Sequence, residues 1–204
     1  MKEPKLYRIV RPIIKILFYI LYKPTIIGKE NIPKEGKIIL AGNHTNNLDC
    51  ILLISSTKRT IHFLAKEELM QGFKKIIFKN MGIIPVNRKI HDKNALTNAI
   101  NILNENKVIG IFPEGTFNRT KNTILPFKIG AVKMASVTKS KIVPFTITGK
   151  YTLFQKNIKI QFLNPIEIPK SKDLTTYNEN LMNIISEELE KEKSKYENNW
   201  YETI

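Results

Sequence analysis

The chain has 204 residues and carries 33 Lys and Arg against 18 Asp and Glu, a net charge of +15. That length holds one domain with its own core, and residues 171–204 carry four lysines against eight acids, so the remaining body is more basic still and should seek polyanions. One cysteine (Cys50) excludes an internal disulfide and fits a reducing compartment, and the three histidines (His44, His62, His91) lack zinc-ligand spacing.

The first element is LYRIVRPIIKILFYILY, residues 6–22. Arg8, Arg11 and Lys15 interrupt it, so its uncharged run falls well short of the about 20 apolar residues that a spanning helix needs. No small-residue cleavage site follows, which argues against a signal peptide. The three cations are spaced three and four apart and share one helix face, and Pro12 bends the segment or starts a second piece. Two readings fit equally. The helix lies in a bilayer interface, with its cations near lipid phosphates and Tyr7, Tyr19 and Tyr22 at headgroup level. Alternatively, it packs on the domain's own core.

Pro24 and Gly28 punctuate the join to the body. Strands are expected at 37–42, 61–65, 83–86, 108–112, 142–148 and 158–162. Helices are expected at 49–56, 67–80, 94–106, 130–138 and, long and acidic, 173–195. This alternation predicts an α/β fold: a three-layer domain over 25–204 with a mixed, largely parallel sheet flanked by helices. Residues 1–24 form an amphipathic segment ahead of it.

Asn43-His44-Thr45-Asn46-Asn47-Leu48-Asp49 ends the apolar run Ile38-Ile39-Leu40-Ala41, so a buried strand delivers His44 to the sheet edge. On one regular helix, five residues turn about 500°, which points the two side chains roughly 140° apart. His44 and Asp49 therefore meet only if a helix begins near Asp49 and His44 lies before it. Asp49 then accepts from one ring nitrogen, and the other is free to take a proton from a substrate hydroxyl. The plainer reading is that Asp49, like Asn46 or Asn47, merely caps the helix.

Ile111-Phe112-Pro113-Glu114-Gly115-Thr116 closes the next apolar strand. Pro113 and Gly115 force a turn at a strand's carboxyl end, where ligands of open α/β sheets bind. The turn offers a backbone N–H to an oxyanion and Glu114 to a polar substrate group. The alternative is a tight turn with a surface glutamate. Pro85-Val86-Asn87-Arg88-Lys89 ends a short strand in cations, and the Arg88 guanidinium suits a phosphate held by two parallel hydrogen bonds. A solvated basic end is the bland equivalent. Pro144, inside an apolar strand, argues for a sheet edge or a bulge.

In this order the four blocks resemble the glycerolipid acyltransferase family, most narrowly its bacterial 1-acyl-sn-glycerol-3-phosphate (lysophosphatidic acid) acyltransferases. Asn43, His44 and Asp49 match the N-H-x-x-x-x-D motif, and Arg88 matches a strand ending in arginine. Phe112, Pro113, Glu114, Gly115 and Thr116 match F-P-E-G-T-R through its threonine. Val143 and Pro144 match a proline-bearing strand. Pro126-Phe127-Lys128-Ile129-Gly130-Ala131 resembles P-F-K-x-G-A. One position departs: Phe117 stands where the family has arginine, with Arg119 and Lys121 just after it.

The resemblance implies transfer of a fatty acyl group from acyl carrier protein or coenzyme A to a glycerol hydroxyl. His44 acts as base and Asp49 supports it, with no metal and no cofactor beyond the thioester co-substrate. Glu114, Gly115 and Thr116 bind substrate, and Arg88, Arg119 or Lys128 hold the acceptor phosphate. The lipid acceptor places the enzyme on an anionic bilayer, monotopic or peripheral at the cytoplasmic face, which favours the interfacial reading of the N-terminal helix. There is no G-x-S-x-G elbow, and Cys50 is expected in an apolar helix, so no acyl-enzyme is indicated. A non-enzymatic membrane-surface module shares the charge but needs neither His44 with Asp49 nor the Glu114 turn. A nucleic-acid binder lacks a zinc finger, an RNP-like motif or a helix-turn-helix. A nucleotide enzyme lacks a glycine-rich phosphate loop.

Overall fold

A computed structural model describes residues 5–70, 81–87 and 92–201. The elements in chain order are α1 (Lys5–Tyr22), β1 (Thr25–Ile27), β2 (Ile38–Gly42), α2 (Asp49–Ser56), β3 (Ile61–Lys66), β4 (Ile84–Val86) and α3 (Lys93–Asn104). Then follow β5 (Val108–Ile111), α4 (Gly130–Thr138), β6 (Lys141–Gly149), β7 (Ile158–Phe162) and α5 (Leu174–Tyr201). The strands form one sheet in the order β1-β7-β6-β2-β5-β3-β4. Every neighbouring pair is parallel except β6 with β7.

The sheet is covered on both faces because its central strands are apolar on both sides, as parallel strands under helices are. Ile39, Ala41, Ile109 and Ile142 face a core shared with α3, α4 and α5. Ile38, Leu40, Val108 and Val143 face the opposite core, shared with α1 and α2. The three layers and the largely parallel sheet are those expected. Ala41 pairs with both Ile111 and Pro144, so β2 and β5 end almost level at one edge of the sheet, while β6 runs on beside them to Gly149. That edge carries the site.

Several expectations change. Thr25–Ile27 is an edge strand beside β7, too short to carry a period. Glu67–Met70 is a 3-10 turn rather than the start of an α-helix; residues 71–80 of that expected helix lie outside the described residues. Pro144 is not on an edge, because β6 lies between β7 and β2, but it borders a bulge: Phe145 pairs with Phe162, whereas Ile142 bridges Ile166, one residue out of that register. The Pro144 carbonyl accepts from Leu163 N–H at 2.8 Å, just past the end of β7. The missing amide thus falls where the pairing slips by one residue, before it resumes at Ile142 and Ile166.

Helix α1 runs unbroken through Pro12. Its inner face joins the core: Tyr7 and Phe18 are buried, and the Tyr7 hydroxyl accepts from Ile61 N–H at 3.2 Å. Arg11 turns inward as well and donates to the Thr57 carbonyl, so the three cations do not share one free face. The outer face is apolar and uncovered: Ile9, Ile13, Ile16, Leu17 and Ile20 are each more than half exposed.

Candidate active site

The site begins at the last residue of β2. A Cβ on Gly42 would lie 2.4 Å from the Phe145 ring, so only glycine lets β2 and β6 close there. Asn43 follows, buried, and extends the β2–β6 ladder with its side chain. Its Nδ2 donates to the Ile147 carbonyl at 2.9 Å and its Oδ1 accepts from Ile147 N–H at 2.7 Å. This clamp stops the strand and sends His44 out at the sheet edge.

His44 and Asp49 meet. His44 Nδ1 lies 2.9 Å from Asp49 Oδ2. A carboxylate only accepts, so Nδ1 carries the proton and Nε2 is left to take another. Asp49 is the first residue of α2 and is completely buried. It does not cap that helix. Its carboxylate reaches back, with Oδ2 also accepting from Thr45 N–H at 2.7 Å and Asn46 N–H at 2.8 Å. Its other oxygen, Oδ1, accepts from the Tyr151 hydroxyl at 2.6 Å. These donors compensate the cost of burying the charge. The His44 ring stacks on Phe112, centroids 3.9 Å apart, and Phe117 leans on it at 4.3 Å. The imidazole is therefore fixed by a hydrogen bond at one end and by rings on its faces.

Glu114 arrives from β5, the strand beside β2, and is buried rather than on the surface. Its Oε1 accepts from the His44 backbone N–H at 2.8 Å and its Oε2 from Leu125 N–H at 2.9 Å. It thus ties the strand end bearing His44 to the segment leading to α4. Burial pushes its carboxyl above the usual range, partly offset by those two amides. The Gly115 N–H closes the turn on the Phe112 carbonyl at 2.9 Å, so that amide serves the turn rather than an oxyanion. Gly115 itself has φ 71, and a Cβ there would lie 2.9 Å from Lys128 Cε. The Lys128 side chain therefore crosses the turn.

Thr116, Arg119 and Lys128 are exposed. The Arg119 guanidinium lies 6.0 Å from the centroid of the Phe117 ring, which itself touches His44. Phe117 and Arg119 together thus bring a cation back toward the base. Arg88 lies outside the described residues. Cys50 follows Asp49 on α2; burial and the neighbouring carboxylate push its thiol up to about 12, far from a nucleophile's range. Among the described residues, no group of three or more His, Cys, Asp or Glu can hold a metal ion.

Chemically, the arrangement can act as a base: an imidazole supported by a buried carboxylate, at the carboxyl edge of a largely parallel sheet, with exposed cations on the segment after β5. Sequence reading missed Tyr151, which lies 102 residues from its partner Asp49. It also gave Asn43 no physical role, although an asparagine directly after an apolar strand signals a ladder that ends on a side chain.

The Acyltransferase family model matches residues 23–148. A Borreliella burgdorferi protein named 1-acyl-sn-glycerol-3-phosphate acyltransferase is 38% identical over 153 residues, covering 73% of this chain and 61% of its own length. A Bacillus subtilis protein of the same name is 30% identical, covering 71% of this chain and 72% of its own. The crystal structure of the 1-acyl-sn-glycerophosphate (LPA) acyltransferase PlsC from Thermotoga maritima superposes with a TM-score of 0.75 at 22% identity, over 95% of this chain and 84% of that one. That likeness carries the fold, helix α1 included. The motif geometry and the matched span lead to one conclusion: the chain belongs to the Acyltransferase family.

Proposed function

We propose that the chain transfers a fatty acyl group from a thioester, acyl-ACP or acyl-CoA, to the free hydroxyl of 1-acyl-sn-glycerol-3-phosphate, giving phosphatidic acid. The observation that carries this reading is the 2.9 Å contact between His44 Nδ1 and the buried Asp49 carboxylate, beside the Phe112–Thr116 turn. His44 Nε2 takes the acceptor's hydroxyl proton while the oxygen attacks the thioester carbonyl. Asp49 stabilises the imidazolium that forms. The proton then leaves with the thiolate as free thiol. A positioned base of this kind is worth about 10²–10⁴-fold in rate. No cofactor is required, and the high value of the Cys50 thiol supports direct transfer without an acyl-enzyme.

Arg119 and Lys128 are the described cations suited to the acceptor phosphate, with Arg88 as a third by its place in the sequence. Glu114 contributes by holding the His44 backbone. The Borreliella burgdorferi and Bacillus subtilis relatives both carry the 1-acyl-sn-glycerol-3-phosphate acyltransferase name, which supports this acceptor.

The protein works on an anionic bilayer at the cytoplasmic face as a monotopic or peripheral enzyme. Among the described residues, no helix is long and apolar enough to cross a membrane. The exposed stripe of α1 is suited to lie in the interface instead. Next to its C-terminal end are Leu153 and Phe154, both more than half exposed, with Phe154 N–H donating to the Leu21 carbonyl at 2.5 Å.

The test is purified protein supplied with lysophosphatidic acid and each thioester type, with products read by mass. His44→Ala should abolish phosphatidic acid formation and leave the circular dichroism spectrum unchanged. Wild-type turnover in that variant overturns the assignment of the base.

A further inference from the structure

The base uses only one oxygen of Asp49. The other, Oδ1, is held by the Tyr151 hydroxyl at 2.6 Å, the shortest bond to this carboxylate. Asp49 has no exposed surface, so solvent does not share that oxygen. Burial and the Asp49 charge push the Tyr151 phenol well above its ordinary range, which keeps it a donor across the working pH.

Tyr151 is not placed by its own strand alone. It follows β6 after Gly149 (φ 89), where a Cβ would lie 1.8 Å from the Asn157 carbonyl oxygen. The ring then meets two rings of α1 edge-on: Tyr22 with centroids 5.7 Å apart and Phe18 at 6.2 Å. Phe18 and Tyr22 are themselves 5.0 Å apart. Such tilted pairs are favourable and directional. A continuous set of contacts therefore runs from the N-terminal helix to the carboxylate behind the base.

We propose that Tyr151 is a positioning residue for the His44–Asp49 pair, and that α1 holds its ring in place through Phe18 and Tyr22. A carboxylate pinned at both oxygens keeps Oδ2 aimed at His44 Nδ1; freed at Oδ1, it pivots about its side-chain torsion. The rate consequence rests on the acyl-transfer reading above, whereas the effect on the His44–Asp49 hydrogen bond does not.

Three variants test it: Tyr151→Phe removes the hydroxyl and keeps the ring, Tyr22→Ala removes the ring's neighbour and keeps the hydroxyl, and the third combines them. Loss of one hydrogen bond to a charged group should lower kcat about tenfold in Tyr151→Phe, with KM for both substrates within about twofold. Tyr22→Ala should lower kcat less, and the double variant should be no slower than Tyr151→Phe alone. In parallel, the low-field proton resonance of His44 Nδ1–H, assigned by its disappearance in His44→Ala, should move in Tyr151→Phe. That signal needs no substrate. If lysophosphatidic acid is not the acceptor but the resonance moves, the acceptor fails and the role of Tyr151 stands. An unmoved resonance overturns that role, whatever the rate. Multiplicative losses in the double variant overturn the part given to α1.

Discussion

Replacing Asp49 by asparagine removes one charge and almost no volume from the centre of the site. The amide oxygen can take the place of Oδ2, where it accepts from His44 Nδ1, Thr45 N–H and Asn46 N–H. The amide nitrogen then faces Tyr151, whose hydroxyl rotates to accept. The fold and the ring tautomer survive, and what is lost is the attraction between carboxylate and imidazolium. At about 4 Å between charge centres and an effective dielectric of about 20, that attraction is about 4 kcal/mol. The full value is a ceiling, because the His44 side chain keeps 14% exposure and solvent screens it. Between half of it and all of it, kcat falls by about 30-fold to about 10³-fold. Asp49→Ala behaves differently. It strands four donors, two of them backbone amides of the exposed residues Thr45 and Asn46, and each of these part-buried bonds contributes about 1 kcal/mol. The two amides alone lower Tm by about 4–8 °C for a chain of this size. The assay pairs phosphatidic acid formation by mass with thermal unfolding of both variants. Asp49→Asn turning over within about threefold of wild type would refute the need for a charge. Asp49→Ala melting at the wild-type temperature would refute the brace.

Glu114→Gln leaves one acceptor for two amides, His44 N–H and Leu125 N–H, and should cost about 1–3 kcal/mol and slow turnover by loosening the His44 backbone; an unchanged Tm and kcat contradict it. Burial raises the Glu192 carboxyl, but Lys159 and Lys195 outweigh burial and leave it below its ordinary value. Its stabilisation is therefore complete above the unfolded value and lost as pH falls through the lowered native one. Glu192→Gln should lose Tm at neutral pH and converge with wild type in acid, and parallel curves exclude this linkage. Ile16→Glu with Ile20→Glu, both on the exposed stripe of α1, should keep Tm nearly constant and weaken flotation with anionic vesicles at least tenfold, since each buried isoleucine contributes about 1.5–3 kcal/mol. Equal flotation removes α1 from the interface. Truncating 1–24 is a poorer test, because Tyr7 and Phe18 belong to the core.

Alternating apolar runs were enough to specify the three layers, because a strand buried on both faces and an amphipathic helix each leave a local period. The motif spacing also located the His44–Asp49 pair. A five-residue separation forbids His44 and Asp49 from meeting on one helix, so a strand end followed by a helix start was the arrangement that let them meet. Tertiary structure decided what reaches the site from a distance. Tyr151 reaches Asp49 because β6 runs on past the end of β2, and Phe18 meets Tyr151 because α1 lies on α2's side of the sheet. The sequence leaves Glu114 open between a contact for a polar substrate group and a surface glutamate; it is buried, because β5 lies beside β2. Sequence patterns record which way a side chain faces along its own element. They do not record which strands become neighbours, and here that adjacency sets the environment of the Asp49 carboxylate.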